Sequence, residues 1–249
     1  MSLIQIKNLS HVFPDGSYGI RNIDLSIEAG EFIVIAGANG SGKTTLCRHL
    51  NGLLKPTSGD VLLDGLSVSK DLLRARQMVG MVFQNADTQI VGETVQSDIA
   101  FGPENLGLNR DEIDARVERV LNIVGLQDLK HQKPYLLSGG EKKRLVIAGV
   151  LAMNPRILVF DEPFSNLDYP GGRQLLQQII HLHETGHTII VVTHELEKVI
   201  AHVNRLVVIQ NGRIVRSGEP VDLMGEVEIY GIREPCTSRY GQGLRSWLI

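Results

Sequence analysis

The run Gly37-Ala38-Asn39-Gly40-Ser41-Gly42-Lys43-Thr44 fits the pattern G-x-x-x-x-G-K-[ST] without a mismatch. Three glycines let the backbone curl so that several N–H groups converge on an anion. A helix that follows adds the positive end of its dipole. In such a loop Lys43 reaches the terminal phosphates and the Thr44 hydroxyl ligates Mg²⁺, with Thr45 next in the nucleotide-binding stretch. A second pair of reactive groups, Asp161-Glu162, ends the apolar run Ile157-Leu158-Val159-Phe160. Ligands of a parallel sheet sit at the carboxyl ends of its strands, so both acids are expected to project toward the bound phosphates. Asp161 is then placed to hold Mg²⁺, directly or through water, and Glu162 to polarise an attacking water. Alone, the first run also suits a Gly-rich turn before a surface helix, and the second a solvated strand end. Together they point to binding and hydrolysis of a nucleoside triphosphate.

These groups need strands and helices to aim them. Phe32 to Ala36 reads as a buried strand entering the loop, and Thr44 to Leu50 as the helix leaving it. Strands and helices alternate through much of the chain, which predicts an α/β domain with a largely parallel central sheet. Leu3 to Lys7 and Ile23 to Ile27 show the period-2 alternation of an antiparallel, half-exposed sheet. Val61 to Leu63 with Asp64-Gly65 predicts another strand and turn, and Met78 to Phe83 a further apolar strand. From about Gln84 to Gly149 the pattern is mainly helical. Asn109 and Glu112 predict a helix start ahead of Ile113, Val117, Val120, Leu121 and Val124, and a second helix begins at Ser138. Ile157 to Phe160 and Thr188 to Thr193 return to buried strands. Pro170 suits the first turn of a helix with Leu175, Ile179 and Leu182 on one stripe. Arg205 to Ile209, Asn211-Gly212 and Arg213 to Val215 read as a hairpin with a type I′ turn. Beyond Pro220 the pattern weakens, and Glu226 to Ile249 reads as a tail or small appended element.

Composition narrows the classes. A chain of 249 residues with 43% hydrophobic and 21% charged residues is ordinary for a soluble globular protein able to bury a real core. A net charge of −3 gives no reason to expect a nucleic-acid coat. Cys47 and Cys236 are too few for a disulfide framework and lack metal-ligand spacing, so a reducing cytoplasm is the expected setting. No apolar stretch approaches the roughly 18 to 20 residues that span a bilayer, and the N-terminus lacks a signal pattern. Any membrane role is expected to come through a partner.

Leu137-Ser138-Gly139-Gly140-Glu141 is, by itself, a capped helix start: Ser138 and Glu141 form a capping box. In company with the other motifs it resembles the signature sequence of ATP-binding cassette (ABC) ATPases, usually L-S-G-G-Q, with Glu141 in place of the common Gln. The resemblance covers roughly residues 2 to 218. It implies a P-loop ATPase fold with a mixed central sheet, an N-terminal antiparallel β subdomain and an inserted α-helical subdomain at about 84–150. The nucleotide-binding domain would be 1–220 and the tail 221–249.

The family pattern also implies roles. Phe13 falls where an aromatic stacks on adenine, and Gln84 where the Q-loop glutamine touches Mg²⁺ and senses the membrane partner. Ser165 to Asp168 matches the D-loop, with Asn166 for the commoner Ala, and His194 matches the switch histidine at the γ-phosphate. The seven other histidines have no such placement; His181 and His183, two apart on a helix, do not share a face. Two cassettes of this family, identical chains or paralogues, pack head to tail. Ser138, Gly139, Gly140 and Glu141 would then meet the partner's ATP, the glycines through amides at a helix N-terminus. The stretch Gln84 to Val95, followed by Asp98-Ile99-Ala100-Phe101-Gly102-Pro103-Glu104-Asn105, looks like the energy-coupling factor (ECF) ATPases, whose Q-loop commonly reads Q-N-P-D-x-Q; Ala86 replaces Pro.

That resemblance implies a peripheral ATPase at the cytoplasmic membrane face. With a transmembrane coupling subunit and a substrate-capturing membrane subunit, it would drive import of a vitamin or a cobalt or nickel ion, without nucleic acid. Another transporter class is the alternative. A soluble mechanical ATPase fits poorly, because only about 95 residues separate Lys43 from Ser138, too few for a long coiled coil besides the α/β fold.

Overall fold

The computed structural model describes residues 2–248. Its strands are β1 (Ser2–Val12), β2 (Tyr18–Glu28), β3 (Phe32–Ala36), β4 (Ser58–Leu63), β5 (Leu66–Ser67), β6 (Val79–Val82), β7 (Ile157–Asp161), β8 (Thr188–Thr193), β9 (Arg205–Gln210) and β10 (Arg213–Gly218). The helices are α1 (Lys43–Leu50), α2 (Leu72–Met78), α3 (Val95–Asn105), α4 (Arg110–Val124), α5 (Gly139–Ala152), α6 (Tyr169–Glu184), α7 (Pro220–Leu223) and α8 (Cys236–Arg239).

Two sheets result. The smaller is antiparallel, in the order β2-β1-β4-β5; the larger runs β10-β9-β3-β8-β7-β6. Within the larger sheet β6, β7, β8, β3 and β9 are parallel, and only β10 turns back antiparallel. The central strands are covered on both faces, which is why they read as continuous apolar runs. Successive side chains of a strand point to opposite faces. Phe32, Val34 and Ala36 therefore join a core beneath the helical layer, while Ile33 and Ile35 join one shared with the antiparallel sheet and α1. Each of the larger of these side chains, fully buried, contributes roughly 1.5–3 kcal/mol. Phosphate loop and acidic pair are thus carried on fully buried central strands.

Local signals account for most ends. Asn109 and Glu112 close a reciprocal capping box on α4, and Gly125 ends that helix in the left-handed region with φ 66°. Asn211 and Gly212 both have positive φ, 50° and 75°, the geometry of a type I′ turn.

One expected strand is corrected. Met78 is the last residue of α2, not the first of a strand, and β6 stops at Val82. An apolar run does not distinguish the buried face of a helix end from a strand start. On the open edge of the sheet, beyond the end of β6, the Phe83 N–H donates to the Gln89 side chain at 2.8 Å.

The segment after Pro220 is docked. Met224, Val227 and Ile232 are buried in the main core, and Trp247 meets Tyr169 edge-on at 5.1 Å between ring centroids. Arg173 donates to the Leu248 carbonyl. Ile249 lies outside the described residues. Among the described residues no helix is long and apolar enough to cross a membrane.

Candidate functional site

The loop between β3 and α1 owes its shape to glycine. A Cβ on Gly37 would lie 2.2 Å from the Ile209 carbonyl oxygen, and one on Gly42 would lie 2.4 Å from that of Gly19. Gly42 also has φ +107°, a conformation other residues rarely adopt. Gly212, at the tip of the β9–β10 turn, braces the loop by donating its N–H to the Ser41 carbonyl at 2.9 Å. Gly42→Ala is therefore expected to cost about 1–3 kcal/mol and to lower Tm by about 2–10 °C. ATP affinity should fall with it. Calorimetry beside an ATP titration checks this; an unchanged midpoint with unchanged affinity would contradict it.

Lys43 opens α1 and is only 6% exposed. Its ammonium donates to the carbonyls of Gly37 at 2.7 Å and Ala38 at 3.0 Å. Burial lowers its pKa, and the nearby carboxylates of Glu162 and Asp161 pull the other way. The buried Ser41 hydroxyl has no protein partner, leaving a donor for an oxyanion. α1 begins at Gly42 without a side-chain cap, so no side chain competes there for its first amides.

Asp161 ends β7 and accepts from the Thr44 hydroxyl at 2.9 Å. Its carboxyl is raised above the ordinary range, chiefly by burial, although the Thr44 hydrogen bond opposes this. Glu162 follows with φ +48°, a strained left-handed conformation for a non-glycine residue. Its carboxylate accepts from Thr193 Oγ1 at 3.0 Å, from the His194 backbone N–H at 3.2 Å and from His194 Nδ1 at 2.7 Å. The backbone turn and three donors at the end of β8 fix where this carboxylate points.

One cleft of about 570 Å³ gathers most of the residues singled out in the sequence: Phe13, Asn39 to Thr45, Gln84, Glu162 and His194. Phe13 rides on the turn between β1 and β2, where its N–H donates to the Ser17 carbonyl at 2.8 Å. Gly19 lets that ring approach, since a Cβ there would fall 2.9 Å from both the Phe13 ring and Thr45 Cγ2. Ser17, Tyr18 and Gly19 also line the cleft, and Arg21 stacks over Tyr18 at 3.9 Å. Motif spacing does not reveal these three; their only sequence signal is adjacency to Phe13.

Ser138, Gly139, Gly140 and Glu141 do not line this cleft. They begin α5, where the Ser138 hydroxyl accepts from the Glu141 N–H at 3.3 Å and the Glu141 carboxylate accepts from the Ser138 N–H at 2.7 Å. The Ser138 N–H and hydroxyl, both donating to the Glu141 carboxylate, lower its pKa. The expected capping box is thus present, with carboxylate in place of amide. Ser138 and Gly139 are exposed, with the D-loop carbonyl of Asn166 3.9 Å from the Gly139 Cβ position.

The loop after Gln84 is held by its own polar residues. Gln89 donates to the Met81 carbonyl at 2.9 Å while accepting from Phe83, extending the pairing of edge strand β6. Asp98 is buried and accepts from the N–H groups of Val91 at 2.7 Å and Gly92 at 2.8 Å. Lys143 of α5 donates to the carbonyls of Phe83 at 3.2 Å and Gln84 at 2.6 Å. Burial pushes its pKa down to about 8, with Asp161 and Glu162 opposing. Sequence reasoning passed over Lys143, because a lysine at the fifth position of a capped helix is ordinarily solvated.

Comparison with known proteins agrees with this arrangement. Residues 20–165 match the ABC transporter family. The chain is 46% identical to a putative ABC transporter ATP-binding protein of Halobacterium salinarum over 233 residues, covering 94% of this chain and 100% of that one. It is 42% identical to the energy-coupling factor transporter ATP-binding protein EcfA of Methanococcus maripaludis over 231 residues, covering 92% and 83%. Among solved structures, cbiO1 of Clostridium perfringens, part of the ABC transporter complex cbiONQ, superposes with a TM-score of 0.83 at 35% identity, covering 92% of each chain. With its phosphate loop, acidic pair and signature helix in family order, the chain belongs to the ABC transporter family, as an ATP-hydrolysing subunit that resembles the ATP-binding proteins of energy-coupling factor transporters.

Proposed function

We propose that this subunit energises import of a vitamin or a transition-metal ion by an ECF-type transporter, bound to the cytoplasmic face of the membrane through other subunits. ATP hydrolysis is carried by the convergence of Lys43, Thr44 with Asp161 behind it, and the Glu162–His194 pair on one cleft, and the transporter type is supported by the likeness to the EcfA and cbiO1 proteins. In this reading loop amides and Lys43 hold the triphosphate, and Phe13 stacks on the base. Thr44, Asp161 and Gln84 offer only hard oxygen donors, a set that suits Mg²⁺. When bound, the ion would neutralise developing charge on the triphosphate. Glu162 accepts the proton of the attacking water, held by Thr193 and His194 in one orientation, and His194 contacts the γ-phosphate.

The exposed start of α5 supports a shared site. Two cassettes, identical or paralogous, would close head to tail, each offering Ser138, the Gly139 and Gly140 amides and Glu141 to ATP held by the other. The membrane-facing surface would be the Gln84–Asn105 region. It carries exposed Val91 and Phe101 and borders a cavity of about 540 Å³ lined by Asp87, Ile90, Glu93 and Tyr135. A transmembrane coupling subunit seated there would read the nucleotide state through Gln84, and a separate membrane subunit would choose the cargo.

Isolation from detergent-solubilised membranes, with identification of the integral proteins that accompany the chain, tests this. A coupling subunit together with a small substrate-capturing protein is the expected outcome. Permease subunits of another transporter class would replace the ECF assignment, and a strictly soluble protein without membrane partners would end the transport reading.

A further inference from the structure

Lys143 is 5% exposed, yet among the described residues it makes no ion pair within contact distance; its ammonium ends on the carbonyls of Phe83 and Gln84. A buried ammonium is costly unless its hydrogens are taken. Here two are taken by the backbone at the entry to the Gln84 loop, and the charges of Asp161 and Glu162 stabilise the cation from the site itself. Lys143 lies one helical turn after Gly139, on the same helix that starts with the signature residues. A helix turn rises about 5.4 Å, so Lys143 sits close behind the amides of Gly139 and Gly140. Beside it on the surface, Lys142 pairs with Asp87 at 2.7 Å, a second and weaker tie between the same two elements.

We propose that Lys143 is a positioning residue that joins the Gln84 loop and the start of α5 into one moving unit. The shift of Gln84 on nucleotide binding in one cleft would thereby displace the amides that the same chain offers to its partner's ATP. The inference rests on the shared-site reading above and deepens it: one side chain sets the register between the two motifs, within the wall that faces the Asp161–Glu162 pair. The Lys143 ammonium touches neither nucleotide nor water in this scheme. Its effect passes through the two carbonyls it holds.

The test compares Lys143→Met and Lys143→Arg with the unaltered full-length protein. ATP affinity is measured by titration calorimetry, steady-state hydrolysis gives kcat and KM, and hydrogen exchange follows residues 83–90. Lys143→Met is expected to keep ATP affinity within about threefold while kcat falls about tenfold or more, and Lys143→Arg to recover at least about half of kcat. Exchange of the 83–90 segment should rise in the Met variant without a matching fall in Tm. Should Lys143→Met fail to fold, Lys143→Gln, which keeps an NH2 donor group without the charge, is judged by the same criteria. A kcat within twofold of the unaltered protein overturns the proposal, as does a loss that Arg leaves uncorrected or that tracks Tm alone. If the unaltered protein hydrolyses ATP at full rate without a second cassette, identical or paralogous, the shared-site reading fails instead, so the two failures are told apart.

Discussion

Glu162→Gln is expected to lower ATP turnover by about 10² or more, the effect of removing a general base, while ATP binding persists. The substitution keeps the shape of the side chain and removes its basicity. The Thr193 hydroxyl and His194 still have one amide oxygen to meet, where the carboxylate now accepts from both. Lys43 and the loop amides are untouched, so affinity measured by titration should stay within a few-fold. A single-turnover assay separates chemistry from release. Near-normal hydrolysis in this variant would remove Glu162 from its assigned role and direct attention to His194.

Ser138→Arg is the second large effect: hydrolysis is expected to vanish while each chain still binds ATP in its own cleft. Ser138 is exposed at the start of α5 and lies outside that cleft, so a long cation there has room in the single chain. Losing the cap costs about 1 kcal/mol, too little to unfold the protein. Ser138→Ala removes the same cap without adding bulk, and comparing the two isolates the steric block. Hydrolysis at the normal rate by Ser138→Arg would exclude the trans arrangement. Loss of ATP binding by the folded single chain would show that the helix start serves its own cleft.

The cleft itself rests on pairings that spacing did not express. Glu162 and His194 are 32 residues apart, and Thr44 and Asp161 are 117 apart. The sequence marks each as reactive. It does not say that the His194 imidazole donates to Glu162, or that the Thr44 hydroxyl donates to Asp161. Those bonds exist because β7 and β8 pair in parallel, Asp161 opposite Val192, and because β3 lies on the other side of β8. The Asn211-Gly212 turn is similar: its type was legible from two residues, but its use as a brace under Ser41 needed the closed sheet.

What the linear chain determined was everything governed by near neighbours. The phosphate loop follows from glycines at fixed offsets, α4 and α5 from capping pairs three residues apart, the central strands from apolar runs, and the final hairpin from its turn dipeptide. Tertiary structure alone decided the rest. It buried Lys143 against the Gln84 loop, tied Phe83 to the Gln89 side chain, placed Tyr18 in the nucleotide cleft, and docked Trp247 on α6. In each case the partner comes from outside the residue's own element or strand. Where a side chain ends up is then set by which surfaces must share a core, and that depends on the whole chain packing at once.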